Sequence, residues 1–175
     1  MVADIQLRPC VDGDEGALSL IGQATFLETF AGVLSGRDIL SHCAVAHSAG
    51  TYRSWLGNPS CKLWVAEVDP GNAPVGFMVV APAQLPLSDT SERDLEIKRI
   101  YLLRAFQGGG TGRRMVEAAK EHARICLADR LLLGVYAHNE SAISFYRRAG
   151  FQKLGTRKFN VGGCDYDDHI MGLSF

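Results

Sequence analysis

A chain of 175 residues with 18 Lys and Arg against 19 Asp and Glu has a formal net charge of −1 with His neutral. It has no basic excess with which to neutralise a run of phosphates, which argues against a nucleic-acid partner and leaves room only for a local basic site. With 47% apolar and 21% charged residues it reads as an ordinary globular chain, one domain over residues 1–175, and no apolar run approaches the roughly 18 residues of a membrane span.

In chain order, IQLRP alternates and ends at Pro9, a short first strand. Asp12 or Asp14 then caps a helix whose apolar positions are Ala17, Leu18, Leu20, Ile21, Ala24, Phe26 and Leu27. Gly32 and Gly36 interrupt, a second helix runs from about Arg37 to Ala46, and a third piece includes Tyr52 to Leu56. KLWVAEV and APVGFMVVA are strands parted by the hairpin-type break Asp69-Pro70-Gly71-Asn72. A polar loop with Pro82, Pro86 and Ser88 to Arg93 precedes LEIKRIYLL, a strand rich in β-branched and aromatic residues. After a glycine-rich stretch, Met115, Val116, Ala119, Ala123 and Leu127 recur with the spacing of an amphipathic helix. LLLGVYA is an apolar strand, Asn139 caps a helix through Ala149, and Gly150 is its C′ residue. Two last strands, Phe151 to Phe159 and Tyr166 to Leu173, flank a turn at Val161-Gly162-Gly163. The sum is an α/β domain.

The five cysteines, Cys10, Cys43, Cys61, Cys126 and Cys164, are odd in number and form no CxxC pair, so they read as free thiols in a reducing compartment rather than a zinc site or disulfide framework. MVADIQLRPC lacks a basic region followed by an apolar core, so no signal peptide is expected and the location is cytoplasmic. His42, His47, His122, His138 and His169 are scattered, and no HxxxH pair supports a metal.

The stretch FQGGGTGRRM, Phe106 to Met115, concentrates the chemistry. It is neither a Walker A loop, which needs GxxxxGK[ST], nor the dinucleotide fingerprint GxGxxG. What it contains is QxxGxG, with Gln107, Gly110 and Gly112 in place between a strand and an amphipathic helix. Amides at a helix N-terminus carry its partial positive charge and suit a pyrophosphate, and Arg113 or Arg114 can add charge-assisted hydrogen bonds. A plain strand-to-helix turn is the alternative.

A second pattern, LLLGVYAHNESAISFYRRAGF, gives a strand, then Asn-x-x-Ala, Phe-Tyr and Gly-Phe. With QxxGxG upstream, it resembles the cofactor site of the GNAT superfamily of N-acetyltransferases. TFLETF, LEIKRIY and FNVGGCDYDDHIM narrow the resemblance to bacterial polyamine acetyltransferases of the spermidine/spermine type. It covers most of the chain, most strongly from Leu95 onward. It implies a mixed, mostly antiparallel sheet splayed between LEIKRIYLL and LLLGVYA, helices on both faces, and acetyl-CoA in the splay. By the same resemblance, Gln107, Gly108, Gly109, Gly110, Thr111, Gly112 and Arg113 hold the pyrophosphate. The backbone of Ile100, Tyr101 and Leu102 pairs with the pantetheine arm, Asn139 contacts that arm, and Tyr146 stands near the thioester sulfur.

The chemistry gives these positions roles. A primary amine, with a pKa of about 10.4, must lose a proton, attack the thioester and expel a thiolate. Holding amine and thioester together supplies much of the acceleration, and a phenol near the sulfur can protonate the leaving thiolate. Tyr146 is therefore the general acid or else a core tyrosine. Glu96, a carboxylate in an otherwise apolar strand, is the base, directly or through water, or else a solvated residue near the strand start. The family pattern has a second acid two residues on; here Lys98 stands there, which bears on polyamine specificity more than on acetyl transfer. Glu28 either holds a cationic amine or is an exposed helix residue, and Asp165, Asp167 and Asp168 are an acidic rim or a solvated hairpin.

The expected activity is acetyl transfer from acetyl-CoA to a primary amine in a ternary complex, with no metal and with spermidine or spermine as leading acceptor. A protein N-terminus, a lysine or an amine antibiotic are rival acceptors, and a non-catalytic CoA-binding sensor is the rival of another class. Neither nucleic acid nor membrane is an expected partner, and the resemblance allows a homodimer.

Overall fold

The computed structural model describes residues 4–175. Its elements are β1 (Ile5–Pro9), α1 (Glu15–Phe30), α2 (Gly36–Ala46), α3 (Ala49–Leu56), β2 (Lys62–Val68), β3 (Ala73–Pro82), β4 (Leu95–Leu102), a 3₁₀ turn (Arg104–Phe106), α4 (Thr111–Ile125), β5 (Arg130–Tyr136), α5 (Glu140–Arg148), β6 (Gln152–Val161) and β7 (Cys164–Ser174). The strands form one sheet in the order β1-β2-β3-β4-β5-β7-β6. Pairing is antiparallel for β1 with β2, β5 with β7 and β6 with β7, and parallel for β4 with β5. This is the mixed, mostly antiparallel α/β fold expected from the sequence. β3 is apolar without alternation because it lies inside the sheet: Val75, Phe77, Met78, Val79, Val80 and Ala81 are all buried.

The described chain divides into two compact units, one of residues up to Val79 with Arg99–Met115, the other of Val80–Lys98 with Val116–Phe175. In the first, α1 packs on α2 and α3, and α3 on β2. Leu18, Ile21, Tyr52, Leu63, Phe77 and Val79 form its core, edged by Tyr101 and Leu103. Serines start two of its helices: Ser35 Oγ accepts from Asp38 N at 3.1 Å and Ser48 Oγ from Thr51 N at 3.1 Å. In the second, Leu85, Leu132 and Ile170 pack together with Ala83 and Leu87, and the β6–β7 register carries an irregularity between Lys153 and Gly155.

Three sequence expectations need correction. Asp14 precedes α1 but makes no capping bond, because its carboxylate is held by Arg8 at 2.8 Å and accepts from Val11 N at 2.8 Å. Leu20 and Leu27 follow the helical period yet are 64% and 53% exposed, the buried face of α1 being Leu18, Ile21, Gly22, Thr25 and Phe26. Leu127 lies past the end of α4 in a left-handed conformation and is exposed rather than part of the helix face.

Candidate active site

In the first unit, β4 runs into the 3₁₀ turn and then the glycines. Gln107 Nε2 donates to Leu102 O at 2.9 Å and Gln107 N to Arg104 O at 3.1 Å, tying the loop back to the strand end. Gly108 and Gly110 have φ of 86° and 85°, a region that side-chain-bearing residues rarely enter. Gly109 has no such φ, and a Cβ there would meet nothing within 4 Å. The first intrahelical bond of α4 is Arg114 N to Gly110 O at 3.1 Å. Before it, the amides of Gly108, Gly109, Gly110, Thr111, Gly112 and Arg113 have no acceptor among the described residues. The two arginines differ: Arg114 Nη2 donates to Ile5 O at 2.6 Å, whereas Arg113 is exposed and unpaired among the described residues.

The same unit holds Ile100, Tyr101 and Leu102, all half-buried on β4, and exposed Glu28, whose Oε2 accepts from Arg104 N at 2.9 Å. Glu28 thus anchors the turn that precedes the glycine loop. Next along β4 is a cluster that sequence reasoning missed. Arg99 Nη1 donates to Tyr52 Oη at 3.0 Å and lies 3.4 Å from His47 Nδ1, while Tyr52 Oη is 2.8 Å from His47 Nδ1. The guanidinium carbon stands 4.7 Å from the Trp55 ring centre and 5.4 Å from that of Tyr52. Tyr52 and His47 are buried, and His42 stacks on Phe26 with ring centres 4.3 Å apart. Burial, then the Arg99 charge, then His42 push the His47 imidazole down to about 3. Burial pushes the Tyr52 phenol up to about 12, against the pull of Arg99.

In the second unit, Glu96 is 4% exposed, and its Oε2 accepts from Gln84 N at 3.0 Å and Lys98 Nζ at 2.8 Å. Lys98 Nζ also donates to Gln84 Oε1 at 3.0 Å. The base candidate is therefore not a solvated strand-end residue but one half of a largely buried ion pair. Asn139 caps α5, Oδ1 accepting from Ala142 N at 3.1 Å, as its sequence position foretold. Tyr146, on the same helix, is buried, with its ring 5.2 Å from Phe145 and 5.9 Å from Phe151. The acidic trio is internally matched: Asp168 pairs with Arg157 at 3.1 Å, Asp167 with Lys158 at 2.6 Å, and Asp165 accepts from Asn160 at 2.8 Å.

A model of the acetyltransferase (GNAT) family matches residues 34–151. The chain belongs to the GNAT family of acetyltransferases. An uncharacterised N-acetyltransferase of Lactobacillus delbrueckii subsp. lactis is 27% identical over 151 residues, 86% of each chain. A peptidyl-lysine N-acetyltransferase of Escherichia coli is 32% identical over 114 residues, 65% of this chain and 64% of that one. A spermine/spermidine N(1)-acetyltransferase of Bacillus subtilis is 34% identical over 65 residues, 37% of this chain and 43% of its own. Among solved structures, an N-acetyltransferase of Thermoplasma acidophilum in complex with coenzyme A shares the fold, with a TM-score of 0.74 over 98% of this chain and 99% of that one at 18% identity.

Acetyl-CoA is accordingly the donor for this acetyltransferase. Among the described residues no group of three or more His, Cys, Asp or Glu is placed to hold a metal ion, and no helix is long and apolar enough to cross a membrane. The Arg99 cluster escaped the sequence because its parts are far apart in the chain: His42, His47 and Tyr52 come from the helical region and Arg99 from β4. The one available signal was strand alternation, which puts Arg99 and Tyr101 on the face opposite Glu96 and Lys98.

Proposed function

We propose that this acetyltransferase moves the acetyl group of acetyl-CoA to a primary amine by direct attack in a ternary complex. The observation that carries this reading is the run of six amides, Gly108 to Arg113, without acceptors among the described residues at the start of α4. Such a run, with the helix dipole behind it and Arg113 beside it, suits the pyrophosphate of the donor. Gln107 fixes the loop's approach, and the Ile100–Leu102 backbone serves the pantetheine arm with Asn139.

In the transfer the amine nitrogen forms a bond to the thioester carbonyl carbon and the carbon–sulfur bond breaks. Tyr146 gives its proton to the departing thiolate, and Glu96 takes the amine's proton directly or through water. A polyamine such as spermidine or spermine is the acceptor the sequence resemblance favours, and the short B. subtilis match supports it. Glu28 would then meet a cationic group. The longer E. coli match supports a lysine acceptor instead. Five free cysteines fit a cytoplasmic enzyme. A homodimer is part of the same reading, and the mass in solution measures it.

The test uses two variants and mass spectrometry of acetylated products. Gly109→Asp adds bulk and negative charge where the fold has room and no φ strain. It is expected to keep the melting temperature and weaken acetyl-CoA binding at least about tenfold by calorimetry. Tyr146→Phe is expected to keep that binding and lower kcat about 10²-fold or more. Unchanged affinity in Gly109→Asp removes the loop from the donor site, and a normal rate in Tyr146→Phe removes the acid.

A further inference from the structure

Arg99 is a half-buried cation with no carboxylate partner among the described residues. A guanidinium has five N–H donors, and here one bonds the Tyr52 hydroxyl at 3.0 Å and faces His47 at 3.4 Å. The plane is steadied by the rings of Trp55 and Tyr52. The surroundings supply no compensating charge, since Tyr52 is a neutral phenol and the buried His47 a neutral imidazole. A cation fixed by aromatic groups, with donors left over, is built to meet an anion from outside the chain.

Which anion follows from the order of residues along β4. The donor's pyrophosphate is read at Gly108 to Arg113, which already offers six amides and an arginine. The pantetheine arm is read as running from there along Leu102 back to Ile100, so its thioester end lies toward the residue before Ile100, which is Arg99. The group Arg99 meets therefore belongs to the molecule that attacks the thioester. We propose that Arg99, posed by Tyr52 and Trp55, binds a carboxylate of the acceptor, so that the amine acetylated belongs to an amino acid or a similar amine-bearing carboxylic acid. This rests on the reading of the chain as an enzyme that acetylates amines, and it narrows that reading away from polyamines. A polycation brings nothing for Arg99 to bind and is repelled by it; Glu96, paired with Lys98 on the opposite face of β4, acts in this reading on the acceptor's amine through water and not by direct contact.

The experiment compares matched acceptors that differ only by a carboxylate: lysine with cadaverine, ornithine with putrescine, and tyrosine with tyramine, with spermidine and spermine alongside. The wild-type enzyme is expected to prefer the carboxylate member of at least one pair about 10- to 100-fold in kcat/KM. Arg99→Met should abolish that preference, Arg99→Lys should restore part of it, and acetyl-CoA binding in both variants shows that they are folded. Equal or better turnover of the decarboxylated partners and the polyamines overturns the proposal. So does an Arg99→Met enzyme that keeps the wild-type preference. If no amine is acetylated, the transfer reading itself fails. Calorimetric titration with the three pairs then still reads Arg99: binding of a carboxylate member that Arg99→Met loses supports the site, and no binding overturns it.

Discussion

Two arginines of this molecule meet opposite surroundings, carboxylates at Arg130 and aromatic groups at Arg99. Arg130, in the second unit, bonds Asp94 through Nη2 at 2.7 Å and Nε at 3.2 Å, and reaches Asp89 through Nη1 at 3.1 Å. The Asp94 side chain is fully shielded from solvent. Burial alone would raise its carboxyl, but the bonds from Arg130 and the Ser91 N–H outweigh that and hold it below the ordinary value. Arg99, in the first unit, has rings, a phenol and a neutral imidazole around it and, among the described residues, no carboxylate. An arginine whose fork is filled from within the chain is structural; one steadied by aromatic faces with its donors left over can bind a ligand.

Matched substitutions sharpen this contrast. Arg130→Met leaves the buried Asp94 carboxylate without its partner, a change that costs about 3–5 kcal/mol. Urea unfolding at pH 7.5 measures it, and a loss below about 1 kcal/mol would mean that the Asp94–Arg130 pair is not what closes this end of β4 and β5.

The next effect in size is acid sensitivity. His47 is held neutral, with a folded value of about 3 against an ordinary 6.5. The unfolded chain therefore binds the extra proton first, and stability falls as pH drops from 6.5 toward 3, by about 1.4 kcal/mol per pH unit for this one group. His42 and His169, both lowered first by burial, act in the same direction. Asp94 and Asp14 have lowered values, so their contributions are lost further down, below the ordinary carboxylate value of 3.8. Urea midpoints at pH 7.5, 6.5, 5.5 and 4.5 should be flat at the top and fall thereafter. A flat profile down to 4.5 would show that His47 is not buried in its neutral form.

The contrast also marks how far the sequence could be read. The strands, the glycine loop, the Asn139 cap and the Gly150 helix end were legible because each depends on neighbours within a few residues. Gly150 has the left-handed φ of 98° that its position demanded. The exposure of Leu20 and Leu27 was not legible, since helical period marks an apolar residue without saying which stripe meets the core. Lys98 is legible in the sequence as a departure from the family pattern, but only the fold shows it paired with Glu96 at 2.8 Å. The Arg99 cluster needed long-range assembly, since Tyr52 and Arg99 meet across 47 positions of chain. Gly22 belongs to it as well: a Cβ there would overlap the Tyr52 hydroxyl and stand 2.5 Å from His47 Nδ1, so its place in α1 reflects that close approach.

The smallest expected effect decides between the two roles. Arg99→Met removes one hydrogen bond to Tyr52 and a stacked cation, and leaves no buried carboxylate behind. Its cost at pH 7.5 should be about 1 kcal/mol, well under that of Arg130→Met. It should also blunt the acid response. Arg99 is the second cause, after burial, of the lowered His47 value, so without it the folded value moves back toward 6.5 and less stability is lost between pH 6.5 and 4.5. A variant that is nearly as stable as the parent at neutral pH, relatively more stable in acid and indifferent to the acceptor's carboxylate fits an arginine kept for its ligand. If Arg99→Met instead loses as much as Arg130→Met, the two arginines are alike, and the cluster is a buried brace between α3 and β4.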